Sequence, residues 1–98
     1  MITPNFIQKL AGYLDTQVEK VVLNNGVYEI DTFNVKQAAE DQLTLTYTVP
    51  QGSVDLISHI ELQNQNGEVV SSNGVHVPIT ADTLIHQTIK ITEVINHG

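Results

Sequence analysis

Apolar residues recur along this chain with two different periods, and the switch between them divides it into a short first part and a long second one. Phe6, Ile7, Leu10, Ala11 and Leu14 fall three to four residues apart, on one face of an amphipathic helix. Thr3-Pro4 makes a helix start, because the threonine oxygen accepts from orphan backbone N–H groups and proline is pre-set for the first helical position. The spacing predicts a helix over residues 4–14. So short a helix is marginal by itself and must dock against its own domain or a neighbouring subunit. The stripe of Phe6, Ile7, Leu10 and Leu14 is thus a candidate partner contact as well as a candidate lid on one end of the domain.

From Val18 the period falls to two and β-branched residues dominate, so residues 17–95 read as sheet. Val18–Leu23 and Val27–Val35 flank Asn24-Asn25-Gly26, where Asn-Gly supplies the positive φ angles of a tight hairpin. Leu43, Leu45, Tyr47 and Val49 alternate with Thr44, Thr46 and Thr48, which predicts a buried face and a threonine face turned to solvent or to a partner. Val54, Leu56, Ile60 and Leu62 form another alternating set, and Asn64-Gln65-Asn66-Gly67 turns it into Glu68-Val69-Val70. Ser71-Ser72-Asn73-Gly74 reads as a further turn, ahead of a short strand of Val75, Val77 and Ile79 that Pro78 and Thr80-Ala81-Asp82 close. Leu84–Ile95 carries the last strand, with Ile85, Ile89 and Ile91 on one side, and Asn96-His97-Gly98 reads as a fraying tail. Six to seven strands behind one N-terminal α-helix give a mainly β fold, an antiparallel β-sandwich, in a single domain over residues 1–98. Strands do not alternate with helices, which excludes a doubly wound nucleotide fold.

Composition narrows what such a domain can do. Eleven carboxylates oppose four lysines with no arginine, and the net charge of −7 repels a phosphate backbone, so nucleic acid is not an expected partner. Without cysteine there is no disulfide, zinc cluster or thiol nucleophile. No apolar run approaches the roughly 18 residues needed to cross a bilayer as a helix, so no membrane insertion is expected. Met1–Leu14 lacks a basic cluster ahead of a long apolar stretch and does not read as a secretory signal.

Candidate chemistry is sparse. His59 and Glu61 stand two apart on one strand face, a spacing that can serve an acid/base pair or a metal ligand, but a solvated strand face opposite Leu56, Ile60 and Leu62 is the reading the sequence favours. His76 and His86 alternate out of their apolar stripes, and His97 lies in the tail. No Gly-x-Ser-x-Gly elbow and no glycine-rich phosphate loop is present. The expectation is a non-enzymatic protein with no catalytic residue, no metal and no cofactor.

The order of helix, Asn-Gly hairpin and threonine-faced strand, followed by Ile60-Glu61-Leu62, Asn66-Gly67-Glu68-Val69-Val70 and Val77-Pro78-Ile79-Thr80-Ala81-Asp82-Thr83, resembles small virion proteins of siphophages infecting Gram-positive bacteria. These proteins are encoded near the tail and baseplate genes. Met1-Ile2-Thr3-Pro4-Asn5-Phe6 belongs to the same resemblance. It implies a β-sandwich similar to the shoulder domain of lactococcal phage receptor-binding proteins. It further implies synthesis in the host cytoplasm, a place in the virion, and a role in tail structure or host adsorption through contacts with other tail or baseplate proteins or as a homo-oligomer. A cell-wall glycan-binding module is the first alternative, and it finds few aromatic platforms here, since tryptophan is absent; a small enzyme or enzyme subunit using His59, Glu61 or His86 ranks behind it.

Overall fold

The computed structural model describes residues 2–91. In order these form α1 (Pro4–Gln17), β1 (Lys20–Leu23), a 3-10 turn (Asn24–Gly26), β2 (Tyr28–Ile30), β3 (Val35–Ala39), β4 (Gln42–Val49), β5 (Leu56–Gln63), β6 (Val69–Pro78) and β7 (Thr83–Lys90). All strand pairs are antiparallel. One sheet has the order β2-β1-β5-β6 and the other β3-β4-β7. Their inner faces share a core to which Val21, Leu23 and Leu62 come from the first sheet and Leu43, Leu45 and Tyr47 from the second. This is the expected sandwich with its helix.

The helix begins where the sequence indicates. Thr3 Oγ1 accepts from the Phe6 N–H at 3.3 Å, and the Thr3 carbonyl accepts from Ile7. It runs three residues beyond the expected Leu14, because the next extended residue is Val18, whose N–H still donates to the Leu14 carbonyl. Helix α1 lies along β3 and β4. Ala11 is buried, Leu14 packs on the core, and Val18 is fully enclosed. Lys36 shares its phase with core-facing Leu45, and its ammonium reaches Asp15 Oδ1 at 2.8 Å, which ties β3 to the last turn of α1.

Three expectations need correction. The strand read over Val27–Val35 is two strands in different sheets: β2 stops at Ile30, residues 31–34 cross over, and β3 starts at Val35. Phe33 anchors the crossing with its ring edge-on to Tyr47 at 6.2 Å. Ser71–Gly74 is not a turn but the middle of β6, since Ser71, Ser72, Asn73 and Gly74 pair with Leu62, Glu61, Ile60 and His59. Turn-type composition yields here to a ladder that pairs the backbone groups β5 and β6 turn toward each other. In β5, Ile57 and not Leu56 joins the core, because the register slips between Ile57 and His59. The expected strand beyond Ile91, and His97, lie outside the described residues.

Asn24 stands at the slip. Beyond Leu23, the last residue of β1 paired with β5, its side chain takes the place of a neighbouring strand. Nδ2 donates to the Leu56 carbonyl at 2.7 Å, while Oδ1 accepts from the Ser58 N–H at 2.8 Å, the Ser58 hydroxyl at 3.1 Å and the His59 N–H at 3.3 Å. The left-handed backbone of Asn24 (φ 52°) and Asn25 (φ 59°) aims it there, a conformation that asparagine tolerates better than most residues. Only the hairpin role of Asn24 was legible from the sequence.

Candidate interaction surface

The groups that could carry chemistry are dispersed. His59 and Glu61 share the outer face of the four-stranded sheet but do not form a pair. His59 Nε2 lies 2.8 Å from Ser72 Oγ with its Nδ1 buried and unpartnered, while Glu61 accepts from the Gln63 amide at 3.1 Å. His86 stands on the outer face of the other sheet, its Nδ1 3.2 Å from Thr46 Oγ1. That contact lies where Thr46 is buried, although it belongs to the threonine face expected to meet solvent or a partner. Among the described residues no three His, Asp or Glu side chains are grouped to hold a metal ion. No described helix is long and apolar enough to cross a membrane.

Tyr47 is the described titratable group whose environment shifts it most clearly. Full burial pushes its pKa up to about 12, because the phenolate would have to shed its hydration in the core. Its hydroxyl donates to Gln87 Oε1 at 3.1 Å, which links the middle of the core to β7. Tyr28 and Phe33 are half-buried, and Phe6 and Tyr13 lie exposed on α1, so no sheet face carries a stack of exposed aromatics.

The residues singled out on the helix divide between two roles. Leu14 packs on the core; Ile7 and Leu10 are half-covered; Phe6 is 53% exposed. Ile7 and Gln8 also flank a cleft against the β3–β4 turn at Glu40 and Asp41. The stripe therefore covers its own sheet at the C-terminal end of α1 and is open at the N-terminal end.

A second open surface lies on the opposite side, where β6 and β7 are the outer strands of the two sheets. Between them runs an open groove of about 440 Å3, lined by Val75, Val77, Leu84 and Ile85 among others. Val75, Val77, Ile85 and Ile89 are half-buried, and Leu84 is 54% exposed. From Val69 to Ile89 the only formally charged residue is Asp82, in a chain with a net charge of −7. That charge gap is the sequence signal for this surface, but it becomes meaningful only once the strand order is known.

The four outer strands differ in how they are protected. β2 has three residues, and β3 lies beside α1. β6 carries two register shifts and ends on Pro78. Short length, coverage, bulges and proline are the usual guards against edge-to-edge pairing. Among the described residues β7 has none of them: its eight residues match β4 without a shift, and its single lysine stands at the end.

Comparison with known families, curated proteins and solved structures gives no match to this chain.

Proposed function

We propose that this chain is a non-catalytic contact protein of a phage virion, in the tail tip or baseplate, made in the host cytoplasm and acting by binding other proteins in tail structure or host adsorption. The observation that carries the contact role is the sparsely charged β6–β7 side, where apolar inner residues and an unguarded strand edge lie open together. Sheet edges with few charges present unpaired N–H and C=O groups that a protein strand can satisfy, and among the described residues the histidines and carboxylates are dispersed. The sequence resemblance over Ile60–Thr83 supports the virion setting.

The test is quantitative mass spectrometry of particles purified from a lysate of cells carrying the gene. The chain should be retained in intact virions at a fixed ratio to the tail proteins. Its presence in the lysate and absence from purified particles would overturn the virion reading.

A further inference from the structure

We infer that β7 is a self-pairing edge: a second copy of this chain adds its own β7 antiparallel to the first, about a two-fold axis at Gln87, and joins two three-stranded sheets into one of six strands. Such pairing deepens the contact role proposed above and rests on it. The two fail separately, because one is read on virions and the other on the purified chain.

The direction of the free backbone groups limits the registers that can pair, and of these the one centred on Gln87 uses all four outward residues of β7. The Ile91 N–H donates to the Asp41 carbonyl at 2.7 Å, so odd-numbered residues at this end turn their backbone groups toward β4. By alternation, those of Leu84, His86, Thr88 and Lys90 face outward. Centring the pair on Gln87 sets His86 opposite Thr88 of the second copy and Leu84 opposite Lys90, so every outward N–H and C=O gains a partner. The same register places Ile85 against Ile89 of the second copy on the core-facing side, where both are half-buried and lie in the same phase as buried Tyr47 and Leu43. No like charges meet.

Charge favours a second copy as the occupant. Two chains of net charge −7 repel wherever their carboxylates approach, and the strip from Val69 to Ile89 is the long segment that holds only one. A basic partner would gain more from the acidic remainder of the surface than from this edge, whose one formal charge is Lys90. Two eight-residue strands meet over about 27 Å, which covers much less than the roughly 1,200 Å2 of a stable interface. The pair is therefore weak and reversible, and is populated where copies are concentrated. Screening the mutual repulsion strengthens it, so association rises with salt, opposite to an ion-paired heterocomplex.

The experiment is sedimentation of the full chain over a concentration series up to millimolar, at low and high salt, with amide hydrogen exchange at the same concentrations. We expect a monomer–dimer equilibrium that tightens with salt, and protection of the Leu84, His86, Thr88 and Lys90 amides that rises at least tenfold with concentration. Thr88→Pro removes an outward N–H without touching the β4 ladder, and Leu84→Lys sets like charges opposite Lys90 while staying on the surface. Each should weaken dimerisation tenfold or more in a folded protein. A strict monomer at millimolar concentration, protection confined to β6, or folded variants that dimerise like the parent would overturn the inference.

Discussion

Beside β3, the space between the sheets is closed by α1, with Ala11 and Val18 enclosed, Leu14 on the core and Lys36 tied to Asp15. Beside β6 and β7, the equivalent space is left to half-buried valines and isoleucines with no covering element among the described residues. The closed side carries charged groups at its rim, and the open side is almost free of them. A domain of this size needs most of its apolar surface for stability, so leaving one side unfinished costs stability that an isolated monomer would have reason to recover. The difference separates a side that serves folding from a side available for contact, and substitutions on each should show it.

The largest effect is expected where the chain completes a strand with a side chain. Asn24→Ala removes the hydrogen bonds to Leu56, Ser58 and His59 and leaves alanine at φ 52°. Counting about 1 kcal/mol for the strain and a similar amount for each strong bond lost, unfolding in urea should show roughly 3 kcal/mol of destabilisation. Asn24→Gly, which relieves the backbone but not the bonds, should fall between the two. A loss below about 1 kcal/mol for Asn24→Ala would mean that β5 holds its slipped register without this plug.

Tyr47 gives the next effect and joins the core to the open side through Gln87. Its folded pKa of about 12 lies above the ordinary tyrosine value of 10.0, so the folded chain holds a proton that the unfolded chain releases between those pH values. The stability this provides is fully present below pH 10 and is lost as pH rises toward about 12, by about 2–3 kcal/mol. Urea midpoints measured across that window should fall in the parent, and this component should be missing in Tyr47→Phe. An equal fall in both proteins would assign the alkaline loss to other groups.

How much of this could be read from the chain depends on whether local pattern or distant pairing decides each element. The threonine alternation over residues 42–49 and the helical stripe from Phe6 to Leu14 are local, and both elements form there, the helix running three residues further than expected. The crossing at residues 31–34 interrupts no apolar period strongly enough to be seen, and only Phe33 on Tyr47 shows why the chain turns there. Adjacent Leu56 and Ile57 offer either phase to β5, and the choice is made by Asn24, some thirty residues earlier. The Glu40-Asp41 turn, with Glu40 at φ 56°, lacks the glycine or asparagine that would announce it. For the candidate surface, the scarcity of charge after Glu68 is legible in the sequence, but which strands lie at sheet edges is a property of long-range order.

Lys36→Met tests the closed side more gently. The ammonium bridges β3 and α1, with both partners about a quarter to a third exposed, so the ion pair contributes about 1 kcal/mol that shrinks with salt. Methionine preserves most of the apolar stem and removes the charge. Destabilisation of about 1 kcal/mol in low salt, smaller in high salt, is expected in urea unfolding, with no change in self-association through β7. A change in association instead would mean that the two sides are coupled through β4.

The smallest effect is a gain. Gly12 sits inside α1, where glycine costs about 1 kcal/mol relative to alanine, and a Cβ built there meets nothing within 4 Å. The helix needs no positive φ at this position, so Gly12→Ala narrows the unfolded ensemble without straining the folded one. Thermal unfolding should shift upward by a few degrees, the size expected for 0.5–1 kcal/mol in a domain of about 100 residues. If the closed side serves only folding, this variant should be more stable and dimerise through β7 as the parent does. Were the gain in stability accompanied by stronger or weaker pairing, the division between the two sides would fail, and α1 would have to be counted among the elements that set the contact edge.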